Sequence, residues 1–233
     1  MPILYAIPAP LGGAALEALP ASAIEKVRTI RDFVAENPKS ARAFLAGVKM
    51  PCPIAELSIA QLDEHTSASA VPALLAPLRE GRSLGLLSDA GCPAIADPGA
   101  TLVEAAHKEN FRVEPLIGPS SITLALMASG LEGQRFAFCG YLPREAKDRA
   151  RRIREIEQRS RRERETQIFI ETPYRNDLLV AALLEACAAS TKLCLASDLT
   201  LPTEQVRTHE VADWRRSVPK LGKKPTVFLL HSK

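Results

Sequence analysis

The chain has 233 residues, a net charge of +3, and 46% hydrophobic against 24% charged residues. That balance excludes a disordered polyelectrolyte, and the apolar runs are strand-length, too short to cross a bilayer. The mild positive charge permits an RNA partner without demanding one. Ile3 to Ile7 is a short apolar run closed by Pro8 and Pro10, which reads as a first strand. Val27 to Val34 reads as a second strand and Ser40 to Gly47 as a short helix with Pro38 near its start. Ser67 to Leu78 reads as a helix with Pro72 in its first turn. Leu84 to Leu87 is a compact strand that runs into the turn residues Ser88 to Pro93. Pro98 to Lys108 reads as a helix capped by Asp97, and Val113 to Ile117 as the next strand. This strand–helix alternation predicts a mostly parallel sheet covered by helices.

A break falls near Gly118, so the expected organisation is an N-terminal α/β lobe over 1–117 and a C-terminal α/β lobe over 118–233. Ser120 to Ala128 reads as a small-residue helix ended by Gly130 and Gly133. Phe136 to Cys139 reads as a strand, Lys147 to Arg164 as a charged helix, and Gln167 to Ile170 as a strand. A helix is expected over Asn176 to Ala188, with strands over Leu193 to Ala196, Val206 to His209 and Thr226 to Leu230. Five cysteines, Cys52, Cys92, Cys139, Cys187 and Cys194, form no C-x-x-C pair, and His65, His107, His209 and His231 are dispersed. Reduced thiols and no metal site are therefore expected. Met1 to Tyr5 lacks the charged start of a secretion signal, so the expected setting is cytoplasmic, without a membrane partner.

Two segments carry the chemistry. In Ser88-Asp89-Ala90-Gly91-Cys92-Pro93-Ala94-Ile95-Ala96-Asp97-Pro98-Gly99, a buried strand delivers an acid and small residues to its carboxyl end. In open α/β sheets that end faces the ligand crevice. Small residues let a ligand touch backbone, and Asp89 can accept hydrogen bonds from hydroxyl or ammonium groups. The same pattern also suits an ordinary strand-to-helix turn. The second segment is Gly118-Pro119-Ser120-Ser121-Ile122-Thr123, where a serine either caps the next helix or meets a ligand at the helix start.

Together these segments resemble the tetrapyrrole methylase superfamily, and within it the branch of small-subunit ribosomal RNA methyltransferases. Ser88 to Gly99 matches its S-D-A-G-x-P-x-I-x-D-P-G signature, and Gly118 to Leu131 matches its G-P-x-x-x-I-T-A-L-x-x-x-G-L element. Leu4 to Gly12, Phe136 to Pro143 and Phe169 to Arg175 are similar to further elements of the family, so the resemblance covers nearly the whole chain. It implies an S-adenosylmethionine-dependent methyltransferase with two α/β lobes and a cofactor cleft between them, usually a homodimer. The implied cofactor contacts are Pro10, Ser88, Asp89, Ala90, Gly91, Ser120 and Ser121, then Glu171, Thr172, Leu199, Pro225 and Thr226 from the C-terminal lobe.

Two elements depart from that branch. Its E-D-T-R element reads Glu36-Asn37-Pro38-Lys39 here, and its R-E-L-T-K element reads Ser197-Asp198-Leu199-Thr200-Leu201. Both lie outside the cofactor signature and bear on the acceptor. Ribose 2′-O-methylation of small-subunit rRNA is one expected activity. Methylation of a tetrapyrrole or other small molecule, or a catalytically silent cofactor-binding homologue, are the others. For a hydroxyl acceptor, Glu36 and Glu171 are the candidate proton acceptors. The arginine-dense stretch from Arg144 to Glu165 reads either as a solvated helix held by i,i+4 pairs or as a phosphate-contacting surface.

Overall fold

The computed structural model describes residues 1–233. The chain folds as two compact units, Met1–Ser120 and Ser121–Lys233.

The first unit is built on strands β1 (Ile3–Ile7), β2 (Asp32–Ala35), β3 (Ser58–Gln61), β4 (Leu84–Leu87) and β5 (Arg112–Pro115). All pairings are parallel and the order is β3-β2-β4-β1-β5. Helices α1 (Ala15–Ala18), α2 (Ala21–Thr29) and α3 (Pro38–Gly47) come before β3, and α4 (Ala76–Arg79) and α5 (Gly99–Lys108) after it. Alternating strand residues feed two cores. Ile7, Phe33 and Leu87 pack with Ile24 and Val27 of α2 and Phe44 and Leu45 of α3. Leu4, Val34, Leu84 and Leu86 pack with Leu75, Leu78 and Leu102. Apolar side chains on both faces explain why β2 and β4 are buried at every position.

Strand β3 and helices α1 and α9 were not among the sequence expectations, and four expected elements have other types or bounds. Val27 belongs to α2 rather than to a strand, because Ala23, Ile24 and Val27 share one helical face against the core, and β2 begins only at Asp32. The expected helix over Ser67–Leu78 is instead a 3₁₀ turn, Val71–Leu75, followed by the single turn of α4. Pro72 and Pro77 each remove an amide donor and split the segment. Helix α5 starts at Gly99 with Pro98 at its cap, one residue later than expected, although Asp97 still accepts the Gly99 amide at 2.7 Å. Strand β5 stops at Pro115, two residues short of Ile117.

The second unit holds a mixed sheet of strands β6 (Phe136–Tyr141), β7 (Thr166–Ile170), β8 (Lys192–Ser197), β9 (Gln205–Glu210) and β10 (Thr226–His231). The order is β6-β7-β10-β8-β9, with β6 parallel to β7 and the other neighbours antiparallel. Helices α6 (Ser121–Ser129), α7 (Ala146–Glu163), α8 (Asn176–Ala186) and α9 (Val211–Arg216) complete it. Its core gathers Ile153, Ile156, Phe169, Leu179, Leu183, Leu195, Trp214 and Phe228. The indole N–H of Trp214 donates to the Leu193 carbonyl at 2.9 Å, so its burial leaves no orphaned donor. No helix is long and apolar enough to cross a membrane.

Candidate functional site

In the first unit the loops that follow β1 and β4 meet. Ala9 and Gly91 exchange backbone hydrogen bonds, Ala9 N to Gly91 O at 2.8 Å and Gly91 N to Ala9 O at 2.9 Å. Gly91 sits at φ +72°, a left-handed conformation that glycine adopts without steric cost. The Ser88 hydroxyl donates to the Gly91 carbonyl at 2.9 Å and closes the turn from below. Asp97 ties down the far end, its Oδ1 accepting from Ala94 N at 2.8 Å as well as from Gly99 N. That anchor supports two alanines at positive φ, Ala94 at +66° and Ala96 at +60°. The other oxygen of Asp97, Oδ2, is buried without a partner, and burial raises the Asp97 pKa above the usual range while the two backbone donors oppose the shift.

The linker joins the same cluster. The Cys92 thiol donates to the Pro119 carbonyl at 3.5 Å, and the Ser120 side chain hydrogen-bonds to the same sulfur. Gly118 is forced by a close approach, since a Cβ there would stand 2.5 Å from Pro8 Cβ and 2.8 Å from Leu19 Cδ2. Beside this cluster lies a pocket of about 370 Å³ lined by residues that include Pro10, Ser88, Asp89, Ser40, Ala43 and Phe44. That volume falls within the span of small-ligand pockets, about 300–1,000 Å³.

The expected contacts Pro10, Ser88, Asp89, Ala90, Gly91 and Ser120 therefore gather in one neighbourhood of the first unit. Their chemistry fits a cationic nucleoside. The carboxylate of Asp89 and the exposed backbone beside Ala90 offer acceptors, and small side chains leave room for close approach. The α3 wall was missed in the sequence, yet its signal was present: Ser40, Ala43, Phe44 and Gly47 fall at the i, i+3, i+4, i+7 spacing of one helical face.

Glu36 follows β2 directly, next to the exit of β4, because Ala35 pairs with Leu87. Burial raises its pKa, and the charges of Asp89, Asp97, Glu64 and Asp63 push it further up. Asn37 caps α3 by accepting the Lys39 amide at 3.0 Å, with Pro38 in the first turn, so the altered Glu36–Lys39 element is a well-formed helix start.

In the second unit the register places Thr226, at the start of β10, opposite Glu171, the residue after β7. Thr226 Oγ1 lies 2.8 Å from Ser197 Oγ, and the Asp198 amide donates to the Pro225 carbonyl at 2.9 Å, which brings Leu199 to the same end of the sheet. Glu171 is buried and bound by Arg175, whose Nη2 donates to both carboxylate oxygens. Its Oε1 also accepts the Thr172 amide at 2.7 Å. This carboxylate is committed to holding its own loop. Ser121 opens α6. No group of three or more His, Cys, Asp or Glu is arranged to hold a metal, and all five cysteines are free.

An acid-and-glycine loop at the carboxyl edge of a parallel five-stranded sheet, followed by a second mixed five-stranded unit, defines a two-unit α/β methyltransferase fold. The chain belongs to the tetrapyrrole (corrin/porphyrin) methylases, whose family pattern matches residues 4–214. It is an S-adenosylmethionine-dependent methyltransferase. It is 31% identical to the ribosomal RNA small subunit methyltransferase I of Vibrio cholerae, covering 99% of this chain and 77% of that one. It is 33% identical to the protein of that name from Streptococcus pyogenes, covering 90% and 69%. Among solved structures, the methyltransferase CobJ superposes with a TM-score of 0.66 at 18% identity, covering 99% of this chain and 94% of that one. Diphthine synthase superposes with a TM-score of 0.65 at 15% identity, covering 100% and 90%. At those identities the two structures speak for the fold.

Proposed function

We propose that this chain methylates a ribose 2′-hydroxyl of small-subunit ribosomal RNA. The observation that carries the proposal is the loop Ser88–Gly99, folded around the Ala9–Gly91 bridge in a chain about 31% identical to a small-subunit rRNA methyltransferase over nearly its full length. When bound, S-adenosylmethionine supplies an electrophilic methyl group on a sulfonium, so the protein's task is to orient and desolvate. Pro10, Ser88, Asp89, Ala90, Gly91 and Ser120 are the proposed cofactor contacts of the first unit. Ser121, Glu171, Thr172, Leu199, Pro225 and Thr226 are the proposed contacts of the second.

Glu36 is the proposed proton acceptor. A hydroxyl that forms a bond to the methyl carbon sheds its proton, and the raised affinity of Glu36 for protons suits it to receive that proton. Glu171 is held by Arg175 and serves instead to shape the loop after β7. We further propose that the protein works in the cytoplasm, where free cysteines stay reduced, and as a homodimer. An apolar α6 whose Met127 is 79% exposed supports a partner surface.

The test is transfer of labelled methyl from S-adenosylmethionine to small ribosomal subunits that lack the modification. Label recovered in RNA, in a nuclease-resistant dinucleotide diagnostic of 2′-O-methylation, is the expected result. Active cofactor binding with no label in RNA, or label that appears in a tetrapyrrole acceptor, overturns the assignment.

A further inference from the structure

Helix α7 separates its charges. Its inward face is fixed by Ile153, Ile156, Glu157 and Ser160, all buried. Counting about 100° per residue from that face, Lys147, Arg151, Arg154, Gln158 and Arg161 fall on one flank within an arc of about 80°. No acid shares that arc. Asp148, Glu155 and Glu163 lie on the other flank, with Arg152 and Arg159 between them.

The ion pairs follow the same division. Arg152 pairs with Glu155 at 3.3 Å and Arg159 with Glu165 at 2.6 Å, so the mixed flank neutralises itself. On the basic flank Arg151 reaches across to Asp148 at 2.9 Å and to Glu155 at 3.7 Å, while Lys147 and Arg154 are exposed and make no ion pair. Between Arg144 and Glu165 stand ten cationic and six acidic side chains, a net +4 against +3 for the whole chain. This one segment therefore carries the entire positive excess of the protein.

We propose that the basic flank of α7 binds the phosphate backbone of the RNA substrate. The inference rests on the rRNA reading above and adds the surface that holds the acceptor. From Lys147 to Arg161 the helix rises about 21 Å at 1.5 Å per residue, long enough to follow several consecutive phosphates. Arginine forks suit bidentate contact with phosphate oxygens, and on this flank Arg154 and Lys147 carry no carboxylate partner that would compete. Such contacts position the RNA without reading its sequence.

The test uses the full-length protein, a labelled single-stranded RNA 20-mer, and small ribosomal subunits. Binding of the 20-mer is measured from 50 to 300 mM salt for the wild type and for the triple variant Lys147→Gln, Arg151→Gln, Arg154→Gln. Neutralising three contacts should flatten the slope of log K against log salt by about 2, at about 0.7 per phosphate on a single strand, and weaken binding roughly 100-fold at 0.1 M salt. Heat of S-adenosylmethionine binding should stay unchanged. The single variant Arg154→Gln, at an exposed side chain without an ion pair, should flatten the slope by about 0.7 and keeps the test valid if the triple variant folds poorly. An unchanged slope in the triple variant overturns the inference. So does weaker binding to whole subunits with unchanged binding to the 20-mer, because the flank would then serve a protein partner. If the wild type methylates subunit RNA while the slopes coincide, only this inference falls. If the wild type methylates no RNA, the functional reading falls first.

Discussion

Ala9 and Gly91 are held face to face by two reciprocal backbone hydrogen bonds of 2.8 and 2.9 Å, which tie the loops after the first and fourth strands to each other. Gly91→Ala attacks that bridge directly. At φ +72° a side chain costs about 1–2 kcal/mol in backbone strain. The new Cβ would also sit 3.3 Å from Leu11 Cδ2. Thermal unfolding should show a loss of about that size, and titration calorimetry should show weaker S-adenosylmethionine binding. A variant with unchanged cofactor affinity would separate the bridge from the cofactor site.

Glu36→Gln should split activity from stability. Loss of a proton acceptor lowers kcat by about 10²–10⁴-fold. In the wild type, kcat should fall as pH drops through the raised pKa of Glu36, because the carboxylate must be ionised to accept a proton. Stability runs the other way. A carboxyl whose folded pKa lies above its unfolded value of 4.5 favours the fold below that value, and the benefit is lost as pH rises through the folded pKa. Glutamine removes the ionisation, so the variant should melt higher than the wild type at pH 8 and near the wild type at pH 4. Melting curves at the two pH values check this. Equal melting temperatures at pH 8 would mean that burial and the neighbouring acids do not disfavour the Glu36 carboxylate in the folded chain.

Local chemistry was legible in the sequence, and long-range assembly was not. The loop Ser88–Gly99 could be read because its glycines, prolines and capping acid fall within twelve residues of chain. Asp97 was recognisable as a cap, although the helix begins one residue later than expected. The acidic surroundings of Glu36 could not be read. Asp63 follows β3, Glu36 follows β2 and Asp89 follows β4, and only the order β3-β2-β4 brings these exits side by side. The last turn of α2, Val27–Thr29, reads as strand because Val27 to Val34 is rich in β-branched and aromatic residues. Its helical face with Ala23 and Ile24 begins upstream of that window. Nothing near Glu171 in sequence, other than the i+4 spacing of Arg175, warned that its carboxylate is already bound.

The two buried thiols of the second unit should resist alkylation. Burial pushes the Cys187 pKa up to about 12, with the Glu157 charge adding to the shift, and burial pushes Cys194 up to about 11. At pH 8 almost no thiolate is present at either, and the thiolate is the nucleophile. Iodoacetamide followed by peptide mass mapping should leave both unmodified in native protein and label both after denaturation. Modification of either under native conditions would mean that the second unit opens on the timescale of the reaction.

Glu157→Ala should be among the most damaging single changes in the second unit. This carboxylate is buried on the inward face of α7, where Oε1 accepts the Ala188 amide at 2.8 Å and the Thr191 hydroxyl. It stitches α7 to the turn between α8 and β8. Alanine leaves the Ala188 N–H without a partner and opens a small void beside Ile153 and Ile156, which together cost about 3 kcal/mol. Glutamine keeps an acceptor oxygen at Oε1, so Glu157→Gln should recover most of that loss. Chemical denaturation of the two variants separates the terms. If both lose the same stability, charge is what the site requires. If the alanine variant loses less than about 1 kcal/mol, the turn finds other partners and the stitch is not structural.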